Sequence, residues 1–316
     1  MLAIAPLLLA ACGGGGDGGS AAPPPSQSTP SPKAMLTAAN YKSAVNITMG
    51  SAATAFAQVL VGLRFAHQLM GQQVTNFLVL PCTTSGGVEL ELTDRNGNHI
   101  LEQNDTVHIR WHQCVSGGSS LDGLMRIEVV AYTPTAQGYE MQLTITAVSV
   151  SIAPGIDGQG TSTLNFIAPV VLTHGPTWDS IQLASGVFRG VPTASGLDVI
   201  TVGIGMQQDY AQGTYQLTTF GTVDTDTLGG HVDFSTDVAF AGTLGRYPDS
   251  GRLALSGGAG SSARLAEEGA AAGDPATVLA GVDSNGDGAA DASDAALGWS
   301  TILPVTIFES VSGSFD

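Results

Sequence analysis

The chain has 316 residues, of which 43% are hydrophobic and 12% are charged, a balance that is compatible with globular folding. Its formal net charge at pH 7 is −17, with 10 Lys and Arg residues against 27 Asp and Glu residues. Because nucleic-acid binding needs a basic surface, this charge argues against a nucleic-acid partner and favours cations.

The first twelve residues, MLAIAPLLLAAC, are an apolar run followed by two alanines and Cys12. They resemble the signal peptide and lipobox of bacterial lipoproteins, in which the chain is cut before a cysteine that carries diacylglycerol. The resemblance implies that residues 1–11 are removed and that Cys12 is lipidated. Because two or more acyl chains such as palmitate anchor a protein stably, we expect a protein held at a membrane without spanning it.

Residue 13 is Gly rather than the Asp that resembles an inner-membrane retention signal. This resemblance implies the outer membrane, with the periplasmic and the surface face both open. Residues 13–33 are rich in Gly and then in Pro and Ser. This composition predicts that residues 12–33 form a lipidated, disordered and solvated tether.

Residues 34–75 are predicted to be helical. Apolar side chains recur at helical spacing over residues 51–72, where Gly71 would provide the C-cap. This stripe consists of Phe56, Leu60, Leu63 and Met70, together with His67. We interpret His67 as a core histidine without a function. A shorter helix is expected over residues 38–47.

After Cys82 the hydrophobic period changes from 3.6 to 2, and turn signals separate the apolar stretches. Residues 76–316 are therefore predicted to form an antiparallel β domain. Val107, Ile109 and Trp111, for example, alternate with polar residues. One-sided alternation indicates a sheet with one buried face and one wet face. We therefore predict a mainly β fold: a large, curved antiparallel sheet, sandwich-like or barrel-like, with one or two N-terminal helices packed on it.

Besides Cys12, the chain contains Cys82 and Cys114. In an exported chain, two remaining cysteines suggest one disulfide. Closing this loop would stabilise the fold by about 3–4 kcal/mol in the chain-entropy model. A zinc site is disfavoured, because two thiols without a convergent pair of histidines supply too few ligands.

Residues 283–294, DSNGDGAADASD, carry oxygen-bearing side chains at positions 1, 3, 5, 9 and 12 of a twelve-residue loop, with Gly288 at position 6. This pattern is similar to the calcium loops of EF-hands and, more closely, of dockerin modules. Crowded carboxylates repel one another unless a cation lies among them. The resemblance implies structural calcium held by Asp283, Asn285, Asp287, the backbone carbonyl of Ala289, Asp291 and Asp294.

Residues 94–105, DRNGNHILEQND, are a degenerate copy of this loop between Cys82 and Cys114. His99 replaces the glycine at position 6, which speaks against the sharp bend, and an ion here would brace the same hairpin as the disulfide. Predicted strands rather than helices flank the loop, so a true EF-hand pair is not expected. The corresponding candidate ligands are Asp94, Asn96, Asn98, Glu102 and Asp105.

The succession of lipobox, tether, cysteine-bounded hairpin and C-terminal Gly-Asp-Gly loop followed by Trp299 resembles an uncharacterised group of proteobacterial outer-membrane lipoproteins. Residues 247–265 also resemble the C-terminal portion of that group. The resemblance covers most of the chain and implies no particular activity.

The sequence contains no G-x-S-x-G, S-x-x-K, H-E-x-x-H or Walker motif. We therefore expect a non-enzymatic, calcium-stabilised envelope protein with a binding or structural role, whose partner is a protein, a glycan or a lipid. One alternative is a carrier of lipid or another apolar ligand between helix and sheet. The other is a hydrolase, since β folds can assemble a site from distant residues.

Overall fold

The computed structural model describes residues 31–70, 77–116, 119–136, 138–153, 161–193, 196–267, 277–294 and 297–299. One α-helix, α1, spans Tyr41–Leu69. The strands are β1 (Phe77–Pro81), β2 (Ser85–Thr93), β3 (Thr106–Ser116), β4 (Ser119–Thr135), β5 (Gly138–Ala153), β6 (Ser162–Phe166), β7 (Val170–Gly175), β8 (Trp178–Thr193), β9 (Gly196–Ala211), β10 (Thr214–Thr225), β11 (Gly230–Thr243), β12 (Ser250–Ser256), β13 (Ser262–Glu267), β14 (Thr277–Asp283), β15 (Ala292–Ser293) and β16 (Leu297–Gly298).

These strands form a single antiparallel sheet in which neighbours along the chain are mostly neighbours in space. Two positions in the sheet are each occupied by two short strands that lie end to end. β6 and β7 both lie between β5 and β8, and β15 and β16 both pair with β14. Within the described residues, β1 pairs only with β2, so it forms one edge of the sheet. The prediction of a mainly β, antiparallel fold with a helix packed on it is confirmed.

The sheet curls around the helix. β5 and β13 lie seven strand-to-strand steps apart along the sheet, which would separate them by roughly 34 Å if the sheet were flat. Helix α1 nevertheless contacts both strands, as well as β4 and β14. Because α1 is also buried on all sides from Thr48 to Ala53, the sheet curves over the helix rather than lying flat beneath it.

Helix α1 is enclosed on all sides near its middle. The consecutive residues from Thr48 to Ala53 are all buried, including Gly50. A helix without a solvent-exposed face lies in the protein interior rather than on its surface. The structure therefore joins the two predicted helical segments into one helix of 29 residues. No helix of the described chain combines the length and the hydropathy that crossing a bilayer requires.

The strands alternate as the sequence pattern predicts. Val107, Ile109 and Trp111 are buried on β3. His112, also on β3, is exposed, and its Nε2 lies 3.0 Å from Oε2 of Glu89 on β2. Met141, Leu143, Ile145 and Ala147 on β5 are buried in the same way. These inward side chains form one hydrophobic core with the apolar face of α1.

A disulfide joins Cys82 to Cys114, with 5.5 Å between the Cα atoms, and this prediction is confirmed. It links the turn before β2 to β3. Because residues 94–105 connect the other ends of β2 and β3, disulfide and acidic loop lie at opposite ends of one hairpin.

The chain is hydrogen-bonded to the sheet from Pro32 onwards, at the C-terminal end of the segment predicted as a tether. The backbone N–H of His231 donates to the carbonyl of Pro32, and that of Ala34 donates to the carbonyl of His231. Lys33 forms an ion pair of 2.7 Å with Asp233. A Cβ atom at Gly230 would lie 2.1 Å from the Pro32 carbonyl oxygen, so only glycine permits this close approach. Tertiary hydrogen bonds thus order residues whose composition alone indicates a coil.

We expect the double substitution Cys82→Ala/Cys114→Ala to lower the free energy of unfolding by about 3–4 kcal/mol, because the open chain regains loop entropy. Denaturant unfolding of the non-reduced proteins measures this change. Cys12→Ser is the matched control and should leave the unfolding free energy unchanged. Equal stability of the double variant and the native chain would contradict the prediction.

Candidate metal centre

The two acidic loops contact opposite ends of α1. The hydroxyl of Tyr41 donates a hydrogen bond of 2.9 Å to Oδ2 of Asp294, and Lys42 forms an ion pair with the same carboxylate. At the other end, Met70 forms a β-bridge with Leu101, which is fully buried. A helix of 29 residues is about 43 Å long, so the two loops are far apart and cannot share an ion.

Residues 283–294 form the turn between β14 and β15, and Asp283 organises it. Its Oδ1 accepts a hydrogen bond from the backbone N–H of Gly286 at 2.7 Å, and its Oδ2 accepts one from Gly288 at 2.8 Å. Both glycines have left-handed backbone angles, with φ of 78° and 86°. Asn285 and Asp287 each accept from the N–H two residues further on. The loop is therefore a series of turns closed by its own acidic and amide side chains.

Residues 94–105 adopt the same hydrogen-bonding pattern. Asp94 accepts from the N–H groups of Gly97 at 2.7 Å and His99 at 2.6 Å, as Asp283 does from positions 4 and 6. Asn96 and Asn98 again accept from the N–H two residues further on. His99 has a φ of 61°, so it adopts the left-handed conformation of Gly288. His99 therefore adopts the bend that its replacement of glycine had put in doubt. Histidine is one of the few residues other than glycine that enter this region with any frequency.

The loops differ at positions 9 and 12. Asp105, at position 12, is 1% exposed and accepts from the N–H groups of Arg95 and Glu102, each at 3.0 Å. Its counterpart Asp294 instead holds the first turn of α1. At position 9, Glu102 accepts from the side-chain amides of Asn96 and Asn98.

Asp291, the counterpart of Glu102 in the other loop, accepts from the backbone N–H and from the hydroxyl of Ser284. In loop 283–294 the carboxylate at position 9, Asp291, thus accepts from the N–H at position 2. In loop 94–105 the carboxylate at position 12, Asp105, has this role.

Backbone donors keep the position 1 carboxylates ionised. The N–H of Gly288, with weaker help from Gly286, holds the pKa of Asp283 below its ordinary value. Partial desolvation raises the pKa of Asp94, but the N–H groups of His99 and Gly97 outweigh it and the net shift is downward. The hydrogen bonds from Ser284 lower the pKa of Asp291. At neutral pH the loops are therefore anionic and suited to a cation.

The two loops offer oxygen ligands, which are the chemical type that a hard cation prefers. The arrangement of these oxygens around a common point is less favourable. Within the described ranges, no group of three or more His, Cys, Asp or Glu side chains is placed to share a metal ion. Loops of this kind also use amide and backbone oxygens, here Asn285 and the Ala289 carbonyl, and calcium accepts a flexible set of oxygens. In this structure the carboxylates serve as hydrogen-bond acceptors for the loop itself.

Cys12 and Gly71 lie outside the described residues, and so does the side chain of His67. Trp111 and Trp299 are buried in the core, and Trp299 contacts the rings of Phe240 and Tyr247.

A second polar cluster was missed by sequence reasoning. It contains His174, Asp179 and Gln208, of which the latter two are each 1% exposed. Its only signal was that Gln208 continues the inward alternation of Ile204 and Met206. A single polar residue at an inward position is easily read as a strand end.

Comparison of the chain with protein-family models, with curated proteins and with solved structures gives no match.

We expect His99→Gly to raise the free energy of unfolding by about 1 kcal/mol, because a left-handed backbone is strained for any residue with a Cβ atom. Gly288→His should lower it by a similar amount. A Cβ atom at Gly288 meets nothing within 4 Å, so the cost there is purely conformational. Denaturant unfolding measures both variants, and changes of the same sign would show that the two loops are not equivalent.

Proposed function

We propose that the protein is a non-enzymatic, lipid-anchored protein of the outer membrane, stabilised by calcium, with a binding or structural role in the envelope. The observation that carries this proposal is the shared backbone pattern of the two acidic loops, each of which contacts one end of the enclosed helix.

Calcium is the cation that this donor chemistry favours. The ligands in the first loop would be Asp283, Asn285, Asp287, the Ala289 carbonyl, Asp291 and Asp294, and in the second Asp94, Asn96, Asn98, Glu102 and Asp105. All are oxygen donors, which suits a hard cation. Extracellular modules bind calcium at about 0.1–1 mM, and a ligand that binds only the folded state stabilises it by mass action.

The lipid anchor is proposed from Cys12 and the composition of residues 13–33. The described body begins at Ser31 and is fixed to β11 through Pro32 and Ala34. The proposed tether would hold the folded body at a distance from the membrane. A force on the tether would act on the backbone hydrogen bonds between residues 32–34 and β11.

The packing of α1 supports a filled interior over the alternative of an apolar carrier. A Cβ atom at Gly62 would lie only 3.2 Å from side-chain atoms of Ile127 and Met125. The helix and the sheet are thus in contact where a carrier of acyl chains would need space.

We expect removal of calcium with a chelator to lower the Tm by about 3–10 °C and millimolar calcium to restore it, because binding to the folded state is lost. Asp283→Ala/Asp287→Ala should abolish most of this shift. Asp226→Ala/Asp249→Ala removes two carboxylates outside both loops and should retain it. An unchanged Tm in the native chain on chelation would refute the calcium assignment.

We expect radiolabelled palmitate to be incorporated into the native chain in bacteria and not into Cys12→Ser, because acylation requires the sulfur of Cys12. Membrane fractionation of the same cells should move the variant from the membrane to the soluble envelope fraction. Equal labelling of both proteins would disprove the anchor without affecting the calcium result.

A further inference from the structure

An open groove crosses the solvent face of the sheet over β10–β13. One row of residues paired in register runs across it, from Phe220 to Ser235, from Ser235 to Ala254 and from Ala254 to Arg264. Phe220, Ser235 and Arg264 are exposed, so the row faces solvent rather than the core. The small side chains of Ser235 and Ala254 form the floor of the groove, and Phe220 and Arg264 form its two walls.

The groove has the size of a ligand site. Its cavity volume is about 530 Å³, and small-molecule sites usually measure about 300–1,000 Å³. Along the strands it reaches a second row of paired residues, Thr222, Asp233, Ser256 and Ser262. Three strand-to-strand steps separate the two walls, roughly 14 Å between backbones. A ligand that touches both walls must therefore be elongated and must lie across the strands.

Phe220 presents an aromatic ring to this groove. It is 52% exposed, and the tip of its ring lies over Gly205 on β9, where an added Cβ atom would be 2.3 Å from Cζ. Glycine at position 205 thus allows the ring to lie against the sheet. The pairing of β10 with β11 shifts register between Leu217 and Phe220, and such bulges re-aim side chains beside functional sites. The exposed ring offers an apolar surface that a ligand can cover.

The groove also contains polar groups that a ligand can use. Two ion pairs flank it: Asp233 lies 2.7 Å from Lys33, and Oδ2 of Asp237 accepts from Nε of Arg252 at 3.2 Å. Asp237 lies in a second bulge, in the pairing of β11 with β12. Within the described part of the chain, Oδ1 of Asp237 has no hydrogen-bond partner and Arg264 has no ion-pair partner. An acceptor and a forked donor are therefore both available.

The charges around the groove favour a neutral ligand. Asp283, the first residue of loop 283–294, is paired in register with Ser262. An anion in the groove would therefore lie beside an acidic loop, on a chain of net charge −17. A cation would instead meet Arg264 at the wall. Hydroxyl groups both donate and accept hydrogen bonds, so a neutral ligand rich in hydroxyl groups can use Arg264 and Asp237 without either repulsion.

We propose that this groove binds a neutral oligosaccharide that lies across strands β10–β13. The apolar face of one sugar ring packs on Phe220. Hydroxyl groups of the following rings accept from Arg264 and donate to Asp237. This inference rests on the binding role proposed above and names its ligand class, but it needs neither calcium nor the lipid anchor.

The experiment uses the full-length protein in a detergent without a sugar headgroup. Cellotriose, maltotriose and mannotriose are titrated separately and followed by saturation-transfer NMR. We expect at least one of them to bind. Phe220→Ala should weaken this binding by about tenfold, because the sugar loses its aromatic contact. Arg264→Gln should weaken it to a similar extent, because donors matched to hydroxyl groups are lost. Arg110→Gln, at an exposed position of β3, is the matched control and should bind like the native chain.

Two further probes test the chemistry of the ligand. Trigalacturonate carries a carboxylate on each ring and should bind more weakly than the neutral sugars. Tri-serine with blocked ends offers hydroxyl groups without a sugar ring and should not bind. Phe220→Leu keeps an apolar side chain but has no aromatic ring, so it should abolish the upfield shift of the bound sugar protons that the native ring causes.

The ligand-free variants provide the control for folding. Because Phe220 and Arg264 are exposed, their substitution should change the Tm by less than about 2 °C. The proposal is overturned if none of the three neutral trisaccharides binds, if trigalacturonate or tri-serine binds as tightly as they do, or if Phe220→Ala and Arg264→Gln both bind like the native chain. A calcium-dependent Tm that persists in that case would leave the calcium proposal standing.

Discussion

The burial of the middle of helix α1 is the constraint on which the rest of the molecule depends. Residues from Thr48 to Ala53 have no solvent-exposed side, so other parts of the chain must cover this stretch of the helix in every direction. This explains why the sheet is long and strongly curled. It also explains the glycine at position 62, since a Cβ atom there would lie 3.2 Å from a side-chain atom of Ile127. A large residue at that position would push the strands apart.

An enclosed helix must also satisfy its ends, where backbone groups lack partners within the helix. Helix α1 has no acidic residue in its first turn. Asp294 supplies the negative charge there from another part of the chain, through Tyr41 and Lys42. Carboxylates near a helix N-terminus are favourable. At the other end, Met70 continues into the β-bridge with Leu101. The two acidic loops thus complete a helix that is remote from both in sequence. Under our proposal, calcium bound in the two loops would stabilise the core, because the loops contact the two ends of α1.

The interior is divided between an apolar body and one polar row. Near α1 the sheet presents residues such as Ile127 and Leu143, whereas β7 to β9 end in His174, Asp179 and Gln208. The first region gains stability from close packing.

Features that depend on neighbouring residues could be predicted from the sequence. Alternation on β3 and β5 gave the sheet and its buried face, the spacing of Asp283, Asn285 and Asp287 gave the form of the loop, and the two remaining cysteines gave the disulfide. These features arise from strand periodicity, side-chain-to-backbone hydrogen bonds and chain chemistry, which act over a few residues.

Tertiary structure decided the rest. Gly50 interrupts the helical pattern, and glycine weakens an isolated helix, yet burial carries α1 through it. His99 takes a left-handed angle because Asp94 holds its N–H. The row from His174 to Gln208 joins three strands whose register no local pattern specifies. The sequence determined which segments form strands, turns and loops, because those preferences are local. Only the folded chain determined which of them meet, because contacts between distant segments depend on how the whole sheet closes over its helix.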